Sequence, residues 1–184
     1  MTSDMTKGNP LKIFIYFTIP LLIGNIFQQL YSMVDTIIVG RFVGVNALAA
    51  LGACNSLFFL VNGLVLGLTS GFAVLVSQKF GAKDEKGVKK AVASNITLTI
   101  VLTVIITIVA LLAVKPLLNM MNTPENIYED ARVYITLIYA GIITQTGYNM
   151  AAGILRALGD SKTPLYFLIV ASILNVILDL IFII

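Results

Sequence analysis

Apolar residues run along this chain in blocks too long for a soluble fold. Residues 13–34, 42–78, 91–114 and 133–155 carry no charge, and 165–184 carries one. About 20 apolar residues in a helix cross a bilayer core of ~30 Å. The pattern predicts five spans, at about 13–39, 48–76, 91–114, 133–155 and 165–184. Each is a helix, because lipid cannot satisfy the open edge of a strand. The run 42–78 holds 37 residues. As one helix it would reach ~55 Å, so the pattern predicts a short loop at 42–46 and then a long tilted helix that passes the membrane at Lys79. The expected fold class is an all-α transmembrane helical bundle of about five spans.

The polar positions inside these blocks carry the information. In the first span Asn25, Gln28, Ser32 and Asp35 recur at i, i+3, i+7 and i+10, one stripe on a helix, broadened by Gln29, Tyr31 and Thr36. Such a stripe faces other helices or a wet cavity. In the last span Ser172, Asn175 and Asp179 form a second stripe, with Asn175 and Asp179 four residues apart on one face. Asp35 lies ~33 Å up its helix from residue 13, and Asp179 ~21 Å from residue 165. Both fall in the same half of the bilayer, so one shared site is geometrically allowed.

No Lys or Arg lies inside any span, and Arg41 sits on the wrong side of the helix to reach Asp35. Two buried acids without a basic partner must be protonated or hold a cation. The amides of Gln28, Gln29 and Asn175 add oxygens that suit a hard cation such as Na⁺. The plainer reading is that each acid sits at the interface and touches water. Pro20 lies in the first span and is either a static kink or a hinge.

The second span carries Gly63, Gly67 and Gly71, a face for close helix approach, with Asn55, Asn62 and Thr69 recurring every seven residues. The third span, with scattered Thr97, Thr99, Thr103 and Thr107, reads as lipid contact. Thr123-Pro124 reads as a helix cap and first turn. Gly159-Asp160-Ser161 reads as a turn before Pro164 at a helix start, with Arg156 meeting headgroups or helix-end carbonyls.

Composition sharpens the class. Of 184 residues 58% are hydrophobic and 11% charged, where soluble domains carry roughly a quarter charged. With no histidine and one cysteine, neither a zinc site nor an internal disulfide can form, and Cys54 reads as packing material. No cofactor and no resident metal is expected. The charge of +3 is distributed by topology. Lys7, Lys12, Lys79, Lys83, Lys86, Lys89, Lys90, Arg156 and Lys162 fall on one side, and Arg41, Lys115 and Arg132 on the other. That bias places the N-terminus in the cytoplasm; the expected location of the protein is the plasma membrane. It reads as orientation and headgroup contact rather than a nucleic-acid surface.

Taken in order, Ile19-Pro20, Gln28-Gln29, Val34-Asp35, Leu51-Gly52, Gly153-x-x-Arg156-x-x-Gly159-Asp160 and Asn175-x-x-x-Asp179 resemble the multidrug and toxic compound extrusion (MATE) family of efflux antiporters. The resemblance covers the whole chain. It implies a twelve-helix transporter of two six-helix lobes, exporting small organic, often cationic, drugs in exchange for Na⁺ or H⁺. It implies a cation or proton site at Asp35, Asn175 and Asp179, and a bend at Pro20 that follows protonation. With five spans the chain corresponds to most of the N-terminal lobe. The missing C-terminal lobe is then an expected partner, and the end of the sequence within a span favours a fragment.

Two rivals remain. A lipid-linked oligosaccharide flippase of related fold would want a basic cavity, which spans without Arg or Lys do not provide. An intramembrane aspartyl protease would use two membrane acids, but Asp35 and Asp179 lack the glycine context of that chemistry, and Asp160 falls in a basic loop.

Overall fold

The structure, a computed structural model, describes residues 9–183; Lys7 and Ile184 lie outside them. Among the described residues there is no strand. The helices are α1 (Pro10–Ile38), α2 (Val45–Gly81), α3 (Glu85–Met120), α4 (Glu125–Ala140), α5 (Ile142–Ala157) and α6 (Lys162–Ile183). α1, α2, α3 and α6 are long and apolar enough to cross a membrane. The fourth predicted span is two consecutive helices meeting at Gly141. The backbone path continues across the joint, with Gly141 N–H donating to Leu137 O at 3.0 Å and Gln145 N–H to Gly141 O at 3.3 Å.

Local chemistry sets the ends. Asn9 caps α1, its Oδ1 accepting from Leu11 N–H at 3.0 Å, with Pro10 at the first helical position. α1 runs on through Pro20 and closes in a π-helical turn, Val39–Val43. Gly44 follows with φ 117°, a conformation that a side chain would strain, and α2 starts at once, as a single 37-residue helix. Thr123 and Pro124 do not act as expected. α4 begins at Glu125 with Pro124 at the cap position, and the Thr123 hydroxyl donates to Leu118 O at 3.0 Å, tying it to the end of α3.

The packing divides the bundle. α2 is the hub, with α3, α4 and α5 against it, while α1 packs chiefly on α6. The apolar core sits among α2, α3 and α4, where Cys54, Leu57, Val114, Leu118, Ala131, Ile135 and Tyr139 are buried. The Cys54 thiol donates to Ala131 O at 3.3 Å and the Tyr139 hydroxyl to Leu57 O at 3.1 Å. Large apolar side chains such as Phe14, Leu112, Phe167 and Ile181 stand exposed, as a lipid-facing surface requires.

Two expectations fail here. α3 is not merely a lipid-contact helix: Asn95, Thr99 and Thr103 are buried, on the side where Thr69 of α2 and Thr146 of α5 are also buried. The glycine face of α2 makes no close approach. A methyl group added at Gly63, Gly67 or Gly71 would meet nothing within 4 Å. The close approaches fall elsewhere, at Gly153 of α5 against Ala73 and at Gly24 of α1 against Leu165 and Leu168.

Candidate functional site

The α5–α6 turn fixes the start of the helix that carries the second acid. α5 ends in a Schellman motif: Gly159 N–H donates to Arg156 O at 3.0 Å and Asp160 N–H to Leu155 O at 2.9 Å. Gly159 takes φ 86°, which explains a glycine there. Pro164 lies in the first turn of α6, as expected, and Asp160 caps the helix. Its Oδ1 accepts from Lys162 and Thr163 N–H at 3.1 and 3.0 Å, and its Oδ2 from the Thr163 hydroxyl at 2.7 Å. The backbone and hydroxyl of Thr163 hold the Asp160 carboxyl down to about 2 from the ordinary 3.8.

A depressed folded-state value means that this stabilisation is full above about pH 4 and is lost as pH falls toward 2. Asp160→Ala is expected to cost about 1–2 kcal/mol at neutral pH. Thermal unfolding at pH 7 and pH 3 checks it, and the gap from the parent protein should narrow at pH 3.

From this start α6 runs along α1. Lys162 Nζ lies 4.9 Å above the Tyr16 ring and donates to its hydroxyl at 3.2 Å. Further along, Gly24 leaves room for Leu165 and Leu168. Still further, the pairing brings the two acids together: the charges of Asp35 and Asp179 interact, and Tyr134 of α4 also lies within reach of Asp35. Both acids are half-buried. Asn175 Oδ1 and Asp179 Oδ2 are buried with no hydrogen-bond partner among the described residues. Buried acceptors are rarely left so. No ion pair among the described residues involves Asp35 or Asp179; those present are Lys79–Asp84 and Arg132–Glu129. Two unsatisfied acceptors on α6 therefore lie beside the Asp35 carboxylate of α1. That chemistry suits a proton or a hard cation.

Between the α1/α6 pair and the α2/α5 pair lies an open cavity of about 510 Å³. Asn25, Gln28 and Tyr31 of α1 line it, facing Asn62 of α2 and Gln145, Tyr148 and Asn149 of α5. Gln145 donates to Asn62 Oδ1 at 2.8 Å and the Tyr148 hydroxyl to Pro164 O at 3.2 Å. Pro20 lines the same cavity.

The predicted stripe on α1 is thus divided. Asn25 and Gln28 reach the cavity, whereas Gln29 and Ser32 face an open groove lined by α1 residues alone. Ser172 is buried and donates to Leu168 O at 2.8 Å. Tyr134 of α4 and the cavity residues Gln145, Tyr148 and Asn149 of α5 escaped the sequence reading. Tyr134 carries no spacing signal. Arg156 sits at a helix end but enters the cavity; its Nε donates to Ala152 O at 3.0 Å, the helix-end contact that was expected.

A bundle of membrane-length helices with a polar cavity between them defines a class: polytopic membrane proteins. The comparisons give the family. The MatE family profile matches residues 20–181, and the chain belongs to that family. It is 33% identical over 180 residues to the probable multidrug resistance protein YpnP of Bacillus subtilis, covering 98% of this chain and 40% of that one. It is 32% identical to YoeA of the same organism, covering 97% and 38%. Among solved structures it superposes on a MOP superfamily transporter from Pyrococcus furiosus with TM-score 0.91 and 32% identity, over 98% of this chain and 40% of that one. The chain spans about 40% of the length of the relatives it matches.

Proposed function

We propose that this chain is part of a cation-coupled antiporter that exports drugs and organic cations across the cell membrane. The coupling ion, Na⁺ or H⁺, binds at Asp35, Asn175 and Asp179, and cargo occupies the neighbouring cavity, with the N-terminus on the cytoplasmic side. The observation that carries this reading is the pair of buried, unpartnered acceptors on α6, Asn175 Oδ1 and Asp179 Oδ2, set beside a second carboxylate on α1. The names of its relatives, probable multidrug resistance proteins, support drug as the cargo.

An ion can drive export only if its affinity differs between two states of the protein. The two sides of α1 allow this. Its packed side carries the acid toward α6, and its cavity side carries the amides that would meet cargo. The cavity volume falls within the range of small-molecule sites, roughly 300–1,000 Å³.

The test is dye efflux from vesicles that hold the chain together with its second lobe, under Na⁺ and pH gradients imposed separately. One gradient alone should drive export at least tenfold above the ungradiented rate, a factor within ordinary coupling energies. Export indifferent to both gradients would overturn the coupling.

A further inference from the structure

The cavity has a polarity that the acids do not give it. Among the described residues that line it, Arg156 is the one with a charge, and no carboxylate lines it. Arg156 reaches the cavity from the last turn of α5, at the end formed by Ser161 and Pro164. The side chain is half-buried. Its Nε is spent on Ala152 O, while its terminal amino groups have no acceptor among the described residues. The carboxylate nearest in sequence, Asp160, directs its oxygens to Lys162 and Thr163. A guanidinium with its Nη edge free and lining a polar pocket is built to receive a planar anionic group.

The acids stand away from it. On α6, Asp179 lies 15 residues beyond Pro164, ~22 Å of helix. On α1, Asp35 lies one turn beyond Tyr31, at the other end of the cavity. The pocket is therefore polarised, with a fixed cation at the basic end of the bundle, neutral amides and tyrosines along the middle, and acids beyond the opposite end.

We infer that Arg156 is a cargo-recognition residue. It takes the carboxylate or phosphate of an anionic or zwitterionic amphiphile, whose uncharged or cationic body extends along Asn25, Gln28 and Tyr31 toward the acids. This rests on the cavity being the cargo site. The charge of a purely cationic drug gains nothing at Arg156, so the cavity discriminates by the cargo's acidic group.

A matched pair of probes tests it: a rhodamine dye with a free carboxylate and the methyl ester of the same dye. Binding is measured by fluorescence polarisation on the complete protein in lipid nanodiscs. In Arg156→Gln the free acid is expected to bind about tenfold more weakly, the effect of losing one charge-assisted hydrogen-bonded partner, while the ester is unchanged. Arg156→Lys, which keeps the charge and loses the fork, should fall between. Equal weakening of both dyes would assign Arg156 a structural role at the end of α5, or a role toward lipid headgroups, and overturn the inference. No change in either dye would overturn it as well. If the parent protein binds neither dye, the cargo reading of the cavity fails, and this inference with it.

Discussion

Asp35→Asn in the complete protein is expected to reduce gradient-driven export on the order of a hundredfold, to the level of empty vesicles, while the protein still folds and inserts. The size follows from what coupling is. Transport works only through the difference in ion affinity between two states, and couplings of a few kcal/mol correspond to factors of up to about 150. Asn keeps the shape and one oxygen, but it cannot take up a proton at working pH and offers a cation no charge. The partner Asp179 then stands without a second carboxylate, so little differential affinity remains.

Folding is spared because Asp35 makes no ion pair among the described residues, so no salt bridge is broken. Asp130→Asn, on the exposed side of α4, removes a carboxylate without touching the site and should export like the parent. Vesicle efflux with both variants reconstituted at equal density measures this. Full export by Asp35→Asn would sink the assignment of the ion site.

The acid pair was legible in the sequence for a physical reason. A carboxylate in a membrane segment is costly enough that its neighbours are constrained, and Asn175 and Asp179 share a face whatever the rest of the fold does. What helical spacing does not give is azimuth, meaning which face meets protein and which meets lipid. On α1, Asp35 lies about 20° round from Gln28 but about 100° from Thr36. The structure divides the stripe along that line, with Gln28 toward the cavity and Gln29, Ser32 and Thr36 on the open groove.

The same limit misled the reading of α2 and α3. In a bilayer both packed and lipid-facing surfaces are apolar, so a glycine face such as Gly63, Gly67 and Gly71 is not thereby a contact. Thr99 and Thr103 look like scattered polar residues until Asn95, whose Oδ1 accepts from the Thr99 hydroxyl at 3.1 Å, places them on one buried edge. Arg156 meets a helix-end carbonyl as its position suggests, but a place at the end of a span does not say that the long side chain also lines the cavity. Its place in the cavity supplies a basic group there even though the spans themselves hold no Lys or Arg.

The meeting of the acids depends on packing about three turns and more away from them, and this gives the second large effect. α1 contributes no side chain at Gly24. An added Cβ there would lie 3.3 Å from Leu168 Cδ2 and 3.5 Å from Leu165 Cδ1. A methyl group asks the tip of Leu168 to give by a few tenths of an ångström, so Gly24→Ala should retain most export. A leucine needs several times that space between two helices that otherwise touch along their length. Overpacking of this kind costs typically 1–3 kcal/mol, a factor of roughly 5 to 150 in the population of the packed arrangement.

Gly24→Leu is therefore expected to lower export more than tenfold with Asp35, Asn175 and Asp179 all intact, because α1 is wedged off α6 and the carboxylates no longer share one site. Efflux is measured alongside gel filtration, which separates loss of function from loss of fold. If the cause is this contact, Gly24→Leu combined with Leu168→Ala should recover much of the lost export, since the two changes exchange volume across one interface and couple as neighbours do. A double variant as poor as Gly24→Leu would mean that the glycine serves the backbone of α1, near Pro20, rather than its fit to α6.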